Sequence, residues 1–322
     1  MSFSVCMLSN EEIPFIDTFV HYYLELGARE ISIYLDFAAP RPSYPDHPNV
    51  RIIQCEELFM VDGTPVRPDS FYLLQRTVYT HAFENFTSDW LLICDADEFV
   101  GGDTPVDEVL QAVPAEWDFV RMPVAEAIWG PGDALGEAFS CTYFRTRAPR
   151  GFGKLLSVLL YGRVFALTKA GLTGHSMGKY FIRKTSRHTE LGVHVPRGVA
   201  MNAGPWTTDI PSKPDICLYH FEAIGYDRWI AKWSLRVKRG KARKTSFNAA
   251  KRNYIDIFAA HQRRGTERQL FEAIYRVNGT KVAVLKALGL LRRKQLWPDG
   301  QPAAAQPSST QSSAAQSSSD RA

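Results

Sequence analysis

Phe3 to Leu8 is a short, mostly apolar run, suited to a buried strand. Asn10, Glu11 and Glu12 follow. Asn is a favoured helix N-cap and acids suit the first turn of a helix dipole, so a helix is expected to begin there. Ile13, Ile16, Phe19, Val20, Tyr23 and Leu24 then recur at helical spacing, and Gly27 stops the helix. Ile31 to Leu35 reads as a second strand ending at Asp36, the Pro-rich stretch from Pro40 to Pro48 as a loop, and Val50 to Gln54 as a third strand. Phe71, Leu74, Val78, Ala82 and Phe86 mark a second amphipathic helix, and Trp90 to Cys94 a fourth strand that runs straight into Asp95. This alternation predicts an α/β layer with a mostly parallel central sheet flanked by helices. Ligands of such open sheets bind beyond the carboxyl ends of the strands, where Asn10, Asp36 and Asp95 fall.

The middle of the chain holds short strand candidates at Phe119 to Met122, Val158 to Leu160 and Tyr180 to Ile182, among Gly-rich turns. From Tyr226 the pattern becomes helical, and from Pro298 it becomes Pro, Ala, Gln and Ser with almost no apolar bulk. Such a tail cannot bury enough surface to offset its ordering entropy, so disorder is expected over 298–322. The chain thus divides into 1–225, a basic helical region 226–297 and the tail. Its 322 residues can bury a full core, and a net charge of +4 is too weak to argue for nucleic acid as a partner. Five scattered cysteines, none in a CxxC pair, argue against a disulfide framework or a structural zinc site. No basic leader and no apolar run of the roughly 20 residues that cross a bilayer is visible, so a cytoplasmic protein, free or peripheral on the inner membrane face, is expected.

The most informative segment is Trp90-Leu-Leu-Ile-Cys-Asp95-Ala-Asp97-Glu98-Phe99. A buried strand delivers Asp95 and Asp97 to its own end, and hard divalent cations seek one or two carboxylates together with substrate phosphates. One Asp at a strand end is commonplace. Three acids within four positions repel one another unless a cation is present, which points to metal or phosphate chemistry. An EF-hand loop is excluded, because Phe99, Val100 and Val106 stand where acid, Gly and Glu are required. A haloacid-dehalogenase-like phosphatase with Asp95 as nucleophile fits less well, since Phe99 replaces Thr or Val and three strands precede the motif.

Asn10-Glu11-Glu12, Gly27, Asp36, Gln75-Arg76 and Asp95-Ala-Asp97-Glu98-Phe99, in this order, resemble the family-2-like glycosyltransferases with a DxDEF signature. The resemblance covers the first hundred residues. It continues more loosely through Lys179-Tyr-Phe-Ile-Arg183, Val193-His194-Val-Pro196, Tyr219-His220-Phe221 and Trp229-Ile-Ala-Lys232. It implies a GT-A (Rossmann-like) catalytic domain over 1–225, completed by the basic helical region, together with Mn²⁺ or Mg²⁺ and a UDP- or GDP-sugar donor. The acceptor it implies is a glycan or a lipid-linked hydroxyl. On that basis Leu8, Asn10, Glu11 and Asp36 line the nucleoside pocket, with Gln75 and Arg76 in the next helix, while Asp95 and Asp97 serve the metal and the diphosphate. Two departures stand out. Asp36 is followed by Phe37-Ala38-Ala39-Pro40 where relatives carry Asn and then Ser, and an aromatic-Gly-Ser-Ser turn is replaced by Trp129-Gly130-Pro131-Gly132.

Two carboxylates half fill a coordination shell. His220 and His194 are the candidates to add an imidazole to the metal or a hydrogen bond to phosphate. The resemblance gives no role to His175 or His188. Between Arg228 and Tyr254 there is no acid, and Lys232, Arg236 and Arg239 share one helical face beside the apolar stripe Trp229, Trp233 and Val237. Lys232 and Arg236 are the better candidates to clamp a leaving diphosphate. A solvated basic face is the plain alternative, and contact with anionic membrane lipid, aided by Leu290-Leu291-Arg292-Arg293-Lys294, is a third. Glu126 and Asp133 are the base candidates because they follow the strand at Phe119 to Met122, and inversion is expected because family-2 relatives invert. A degenerate module that binds nucleotide or glycan without turnover is the non-enzyme alternative.

Overall fold

The computed structural model describes residues 1–37, 39, 41–42, 47–149, 151–186, 190–194, 196–197, 216–242 and 249–297. In chain order the first elements are β1 (Phe3–Ser9), α1 (Ile13–Glu25), β2 (Glu30–Leu35), β3 (Val50–Gln54), β4 (Met60–Val61), β5 (Thr64–Pro65) and α2 (Phe71–Asn85). Next come β6 (Trp90–Cys94), β7 (Glu98–Gly101), α3 (Val106–Gln111), β8 (Phe119–Arg121), β9 (Val124–Ile128), β10 (Tyr143–Thr146) and α4 (Phe152–Tyr161). The remainder is β11 (Tyr180–Arg183), β12 (Glu190–Leu191), β13 (Pro196–Arg197), β14 (Cys217–His220), α5 (Tyr226–Ala242), α6 (Ala249–Arg264), α7 (Glu267–Tyr275), α8 (Gly279–Ala287) and β15 (Leu291–Arg293).

The fold is mixed α/β. Its central sheet has the order β3-β2-β1-β6-β11-β8, and β3, β2, β1 and β6 all run parallel. Val5 of β1 lies beside Ile31 of β2 and Leu92 of β6. Every residue of β2 and β6 is buried, as a parallel strand covered on both faces requires, and this is why β6 is a continuous apolar run and β2 is apolar but for Glu30 and Ser32. Edge strand β3 is only partly buried. Ile16, Phe19, Val20 and Tyr23 of α1 pack in one core with Val5, Met7, Ile31 and Leu92, whereas Leu74, Val78 and Ala82 of α2 pack with Cys6, Leu91 and Ile93. Alternate residues of one strand therefore serve opposite layers.

Beside the central sheet stands a second one, ordered β15-β10-β9-β14-β7, that the hydrophobic pattern did not reveal. Its strands are short, and they pair across large sequence separations, His220 with Glu98 in β7 and with Glu126 in β9. The chain passes from β6 in one sheet to β7 in the other through Asp95, Ala96 and Asp97 alone. The acidic motif is therefore the hinge point between two sheets.

Two local expectations are corrected. Glu12 stands at the N-cap position of α1 without a side-chain capping bond and Pro14 lies in the first turn, so Asn10 is not the N-cap. Val158 to Leu160 lies in helix α4 rather than a strand, because Leu156 and Leu160, one turn apart, pack against Ile128, Tyr143 and Leu290. The strands expected at Val50 to Gln54 and Trp90 to Cys94 are found with those bounds. The helical region beyond Tyr226 has no separate core: Trp229, Trp233, Phe258, Phe271 and Tyr275 join the cluster that holds Phe99 and Phe221. Disorder expected over 298–322 lies outside the described residues. Among the described residues no helix is long and apolar enough to cross a membrane. All five cysteines are buried and unbridged.

Gly178 is fixed by both sterics and backbone conformation. Gly178 has φ +73°, and a Cβ there would lie 2.0 Å from the Met122 carbonyl oxygen. Gly178→Ala is expected to cost about 2 kcal/mol or more, from left-handed strain and the backbone clash together. Urea unfolding checks this; a change within about 0.5 kcal/mol, typical of an unconstrained surface site, would contradict the geometry.

Candidate active site

The acidic motif is a closed turn. The Asp95 N–H donates to Glu98 Oε2 at 2.8 Å, and the Glu98 N–H donates to the Asp95 carbonyl at 3.1 Å. Phe99 anchors the turn from below, with ring centroids 5.0 Å from Tyr22, 5.3 Å from Trp297, 5.5 Å from Phe139 and 5.7 Å from Phe221. Lys179, just before β11, is wholly buried and places its Nζ 2.8 Å from Asp95 Oδ2 and 3.3 Å from Glu98 Oε2. The antiparallel register of β11 on β6, with Phe181 opposite Leu92, brings Lys179 to the end of β6. Burial alone would lower the Lys179 pKa, but Asp95 and Glu98 hold it well above the ordinary lysine value.

The three acids thus have different surroundings. Glu98 is fully buried; burial works against its charge, yet Lys179 and His175 hold its pKa below the ordinary value. Asp95 is raised by desolvation and by Glu98 and Asp97, against the pull of Lys179. Asp97, with its side chain 18% exposed, faces His220 Nε2 at 3.7 Å and Lys232 Nζ at 3.7 Å. Burial opposes charge on Asp97, but His220 and then Lys232 outweigh it and keep the carboxyl well below the ordinary range. The same contact raises His220 to about 9, although burial alone would lower it.

Lys232 and Arg236 reach this point from α5, docked by the buried faces of Trp229 and Trp233. Lys232 Nζ lies 3.1 Å from Glu222 Oε1, and Arg236 Nη1 lies 3.7 Å from the same oxygen. Lys251 of α6 is pushed down to about 8 by desolvation and by the charges of Arg236 and Lys232, which places a third ammonium near the pair.

Three imidazoles lie in a row. His175 has its ring centroid 4.9 Å from that of His220 and 4.5 Å from that of His194. His175 Nε2 meets Glu98 Oε1 at 2.8 Å, and Glu98, His175 and His220 each offer one ligand atom within 4.8 Å of the others. Among the described residues, the buried Nδ1 atoms of His175 and His220 have no hydrogen-bond partner. His194 Nδ1 lies 2.9 Å from the Gly178 carbonyl, and desolvation, with His175 and Lys179, drops its pKa to about 4.

The base candidates are occupied elsewhere. Glu126 is fully buried and accepts from the Arg145 guanidinium, from the Thr173 N–H at 2.9 Å and from the Gly174 N–H at 2.6 Å. It anchors the loop that carries His175 and is closed to an acceptor hydroxyl. Asp133 accepts from the Gly130 N–H at 2.8 Å and the Thr142 hydroxyl at 2.8 Å, so it fastens a turn. Both assignments as base are corrected on this ground.

The expected nucleoside residues spread along the strand ends. Leu8 is partly buried near the end of β1, and Asn10 is exposed just beyond it. Glu11 pairs with Arg228 of α5 through a 2.7 Å bond from Nε. Asp36 takes a two-pronged contact from Arg67 at 3.0 and 2.8 Å. Gln75 is partly buried on α2, whereas Arg76 turns to Glu190 of β12 at 3.5 Å. The structure therefore gathers Asp95, Asp97, His220, Lys232 and Arg236, sets His194 one ring away, and adds Glu98, His175, Lys179 and Glu222. Glu222 lies in the turn after β14, two residues beyond His220, where no strand alternation marks it. His175 lies in a Gly-rich connection with no periodicity, where nothing marks it; His188 lies outside the described residues.

No family model matches the chain, and no curated protein matches it. Solved structures do. HddC from Yersinia pseudotuberculosis aligns at 10% identity and TM-score 0.31, over 61% of this chain and 84% of that one. TarS 1-349 from S. aureus in complex with UDP-GlcNAc aligns at 13% identity and TM-score 0.28, over 57% of this chain and 46% of that one. The same fragment in complex with UDP gives 13% identity and TM-score 0.29, over 57% and 47%. The chain spans about half the length of the TarS fragment it matches.

Lys179→Met leaves Asp95 and Glu98 facing each other without their cation. Stability is expected to fall by about 3–5 kcal/mol, the cost of removing one partner of a buried pair. Denaturant unfolding measures it, and a variant as stable as the parent would show that the ammonium does not hold the turn.

Proposed function

We propose that the chain is a glycosyltransferase that moves a sugar from a UDP- or GDP-linked donor to a hydroxyl of a glycan or lipid-linked acceptor. The observation that carries the reading is Asp97: a carboxylate at the carboxyl end of β6, partly open, facing His220 and the ammonium of Lys232. A site that pairs an ionised acid with a cationic helix face suits a pyrophosphate bridged to protein through both signs of charge.

The donor lies across the strand ends, its nucleoside toward Leu8, Asn10, Glu11 and Asp36 and its diphosphate toward α5. Glu98, His175 and His220, beside Asp97, would hold a divalent cation that neutralises charge on the departing diphosphate. Lys232 and Arg236 move from Glu222 to the phosphate oxygens, and Lys251 adds positive potential. The acceptor oxygen attacks the anomeric carbon, the carbon–oxygen bond to the diphosphate breaks, and the hydroxyl proton passes to water or a carboxylate. A single displacement of this kind inverts the anomeric centre. Asp97 keeps the cation and the cationic helix in register.

The test is a panel of nucleotide sugars scored by thermal shift and by donor hydrolysis. One nucleotide class should stabilise the chain, by about 2.7 kcal/mol at a hundredfold excess over Kd. Asp97→Ala should lose about 100-fold or more in turnover while still unfolding cooperatively. Full activity in that variant, or phosphate release from simple phosphate esters by the parent chain, would contradict the reading.

A further inference from the structure

We infer that the chain docks on an anionic lipid bilayer through the outward faces of α4 and α8. This surface takes no part in the transferase reading, and three observations point to it.

The first is an apolar face left uncovered among the described residues. Leu156 and Leu160 of α4 and Val282 and Leu285 of α8 turn inward, into the cluster that holds Ile128 and Tyr143. Leu155, Val158 and Leu159 of the same ten-residue α4 turn outward, and they are 59%, 44% and 72% exposed. Val284 and Leu288 of α8 are exposed as well. A helix that is apolar on both sides belongs in a core or in lipid. At about 1.5 Å per residue, α4 is about half as long as a hydrocarbon layer is thick, so it lies in the interface plane rather than across it.

The second is charge. No acidic residue occurs from 138 to 189 or from 273 to 298, the two stretches that contain α4 and α8. Arg147 and Lys169, before and after α4, are exposed, and the Ala148 N–H donates to the Ala170 carbonyl, which keeps their segments side by side. Lys286 of α8 and Arg293 of β15 are exposed too. The Arg293 guanidinium lies 5.3 Å from the centre of the Tyr143 ring, a member of the same cluster. Exposed leucines ringed by lysine and arginine are the pattern of a helix that lies on anionic lipid. The same charges disfavour a second copy as the occupant, since two such faces brought together would set like charges against each other.

The third is position. Ile128 lies two residues along β9 from Glu126 and on the same side of the strand, so about 7 Å separates the cluster under α4 from the carboxylate that anchors the His175 loop. The bilayer-facing surface thus adjoins the site. The other basic helix, α5, does not serve, because its Lys232 and Arg236 face Glu222. Nor does Lys294, whose Nζ lies 3.1 Å from Asp103 Oδ1.

The test is co-sedimentation of the full chain, without nucleotide, with vesicles of phosphatidylcholine alone or with about a quarter phosphatidylglycerol. Binding to the anionic vesicles should be at least about tenfold tighter, and it should weaken as salt rises. Leu155→Glu/Leu159→Glu should lower that binding about tenfold or more while the urea midpoint stays that of the parent, since both side chains are exposed. Arg147→Gln/Lys169→Gln should weaken it and flatten its salt dependence, and Lys232→Gln/Arg236→Gln should leave it within about twofold of the parent. Equal binding to both kinds of vesicle, parent-like binding by the leucine variant, or a tenfold loss in the Lys232/Arg236 variant would overturn the inference. So would a dimer that the leucine variant splits, or a lowered urea midpoint in that variant, because a second copy or another segment of this chain would then cover the face. No nucleotide is present, so failure of the transferase reading leaves the vesicle result intact, and failure of vesicle binding leaves nucleotide binding to be judged separately.

Discussion

A single buried ammonium holds the functional end of this molecule together. Lys179 sits without solvent between Asp95 and Glu98, at the point where the chain leaves one sheet and enters the other. An unpaired carboxylate could not remain buried there, nor could the lysine without the carboxylates. Their mutual attraction closes the Asp95–Glu98 turn, and the closed turn aims Asp97 away from the core toward His220 and α5. The motif that reads as three crowded acids is, in space, Asp95 held by Lys179 with its side chain still 37% exposed, Glu98 buried between Lys179 and His175, and Asp97 facing His220 and Lys232.

Packing completes what charge begins. Phe99, the last residue of the motif, lies among Tyr22, Phe139, Phe221 and Trp297, residues drawn from the first helix, the middle connection and the C-terminal region. The same core takes in Trp229 and Trp233, which seat α5 so that Lys232 and Arg236 face Glu222 and Asp97. A shift of that helix by one turn would remove both cations from the strand ends. The helical region is therefore part of the site, although it begins after residue 225.

The central sheet was legible because its strands are covered on both faces, which forces mostly apolar runs at Phe3 to Leu8, Ile31 to Leu35 and Trp90 to Cys94. The second sheet was not: its strands are short, and it is assembled by long-range pairing, such as His220 beside Glu98, that leaves no local periodicity. Val158 to Leu160 misled for a related reason, since a short apolar run fits a buried strand and a helix equally well. In the site, Asp95 and Asp97 were visible because a buried strand ending in acids is costly without a cation. Which acid is satisfied by Lys179 depends on a register between β6 and β11, and no local pattern encodes it. Glu126 and Asp133 resembled free carboxylates in sequence and prove to be fastenings, because the groups that occupy them, Arg145, Gly174 and Thr142, come from other segments.

The account turns on where a cation and a diphosphate sit relative to this turn. The most direct measurement is a crystal structure of the full chain grown with cobalt and the nucleotide diphosphate it binds, with diffraction collected on both sides of the cobalt absorption edge. The account predicts one strong anomalous peak among Glu98, His175 and His220, with the diphosphate between that peak and Lys232. A peak on Asp95 with Lys179 displaced, or a nucleotide bound away from the carboxyl end of β6, would contradict it.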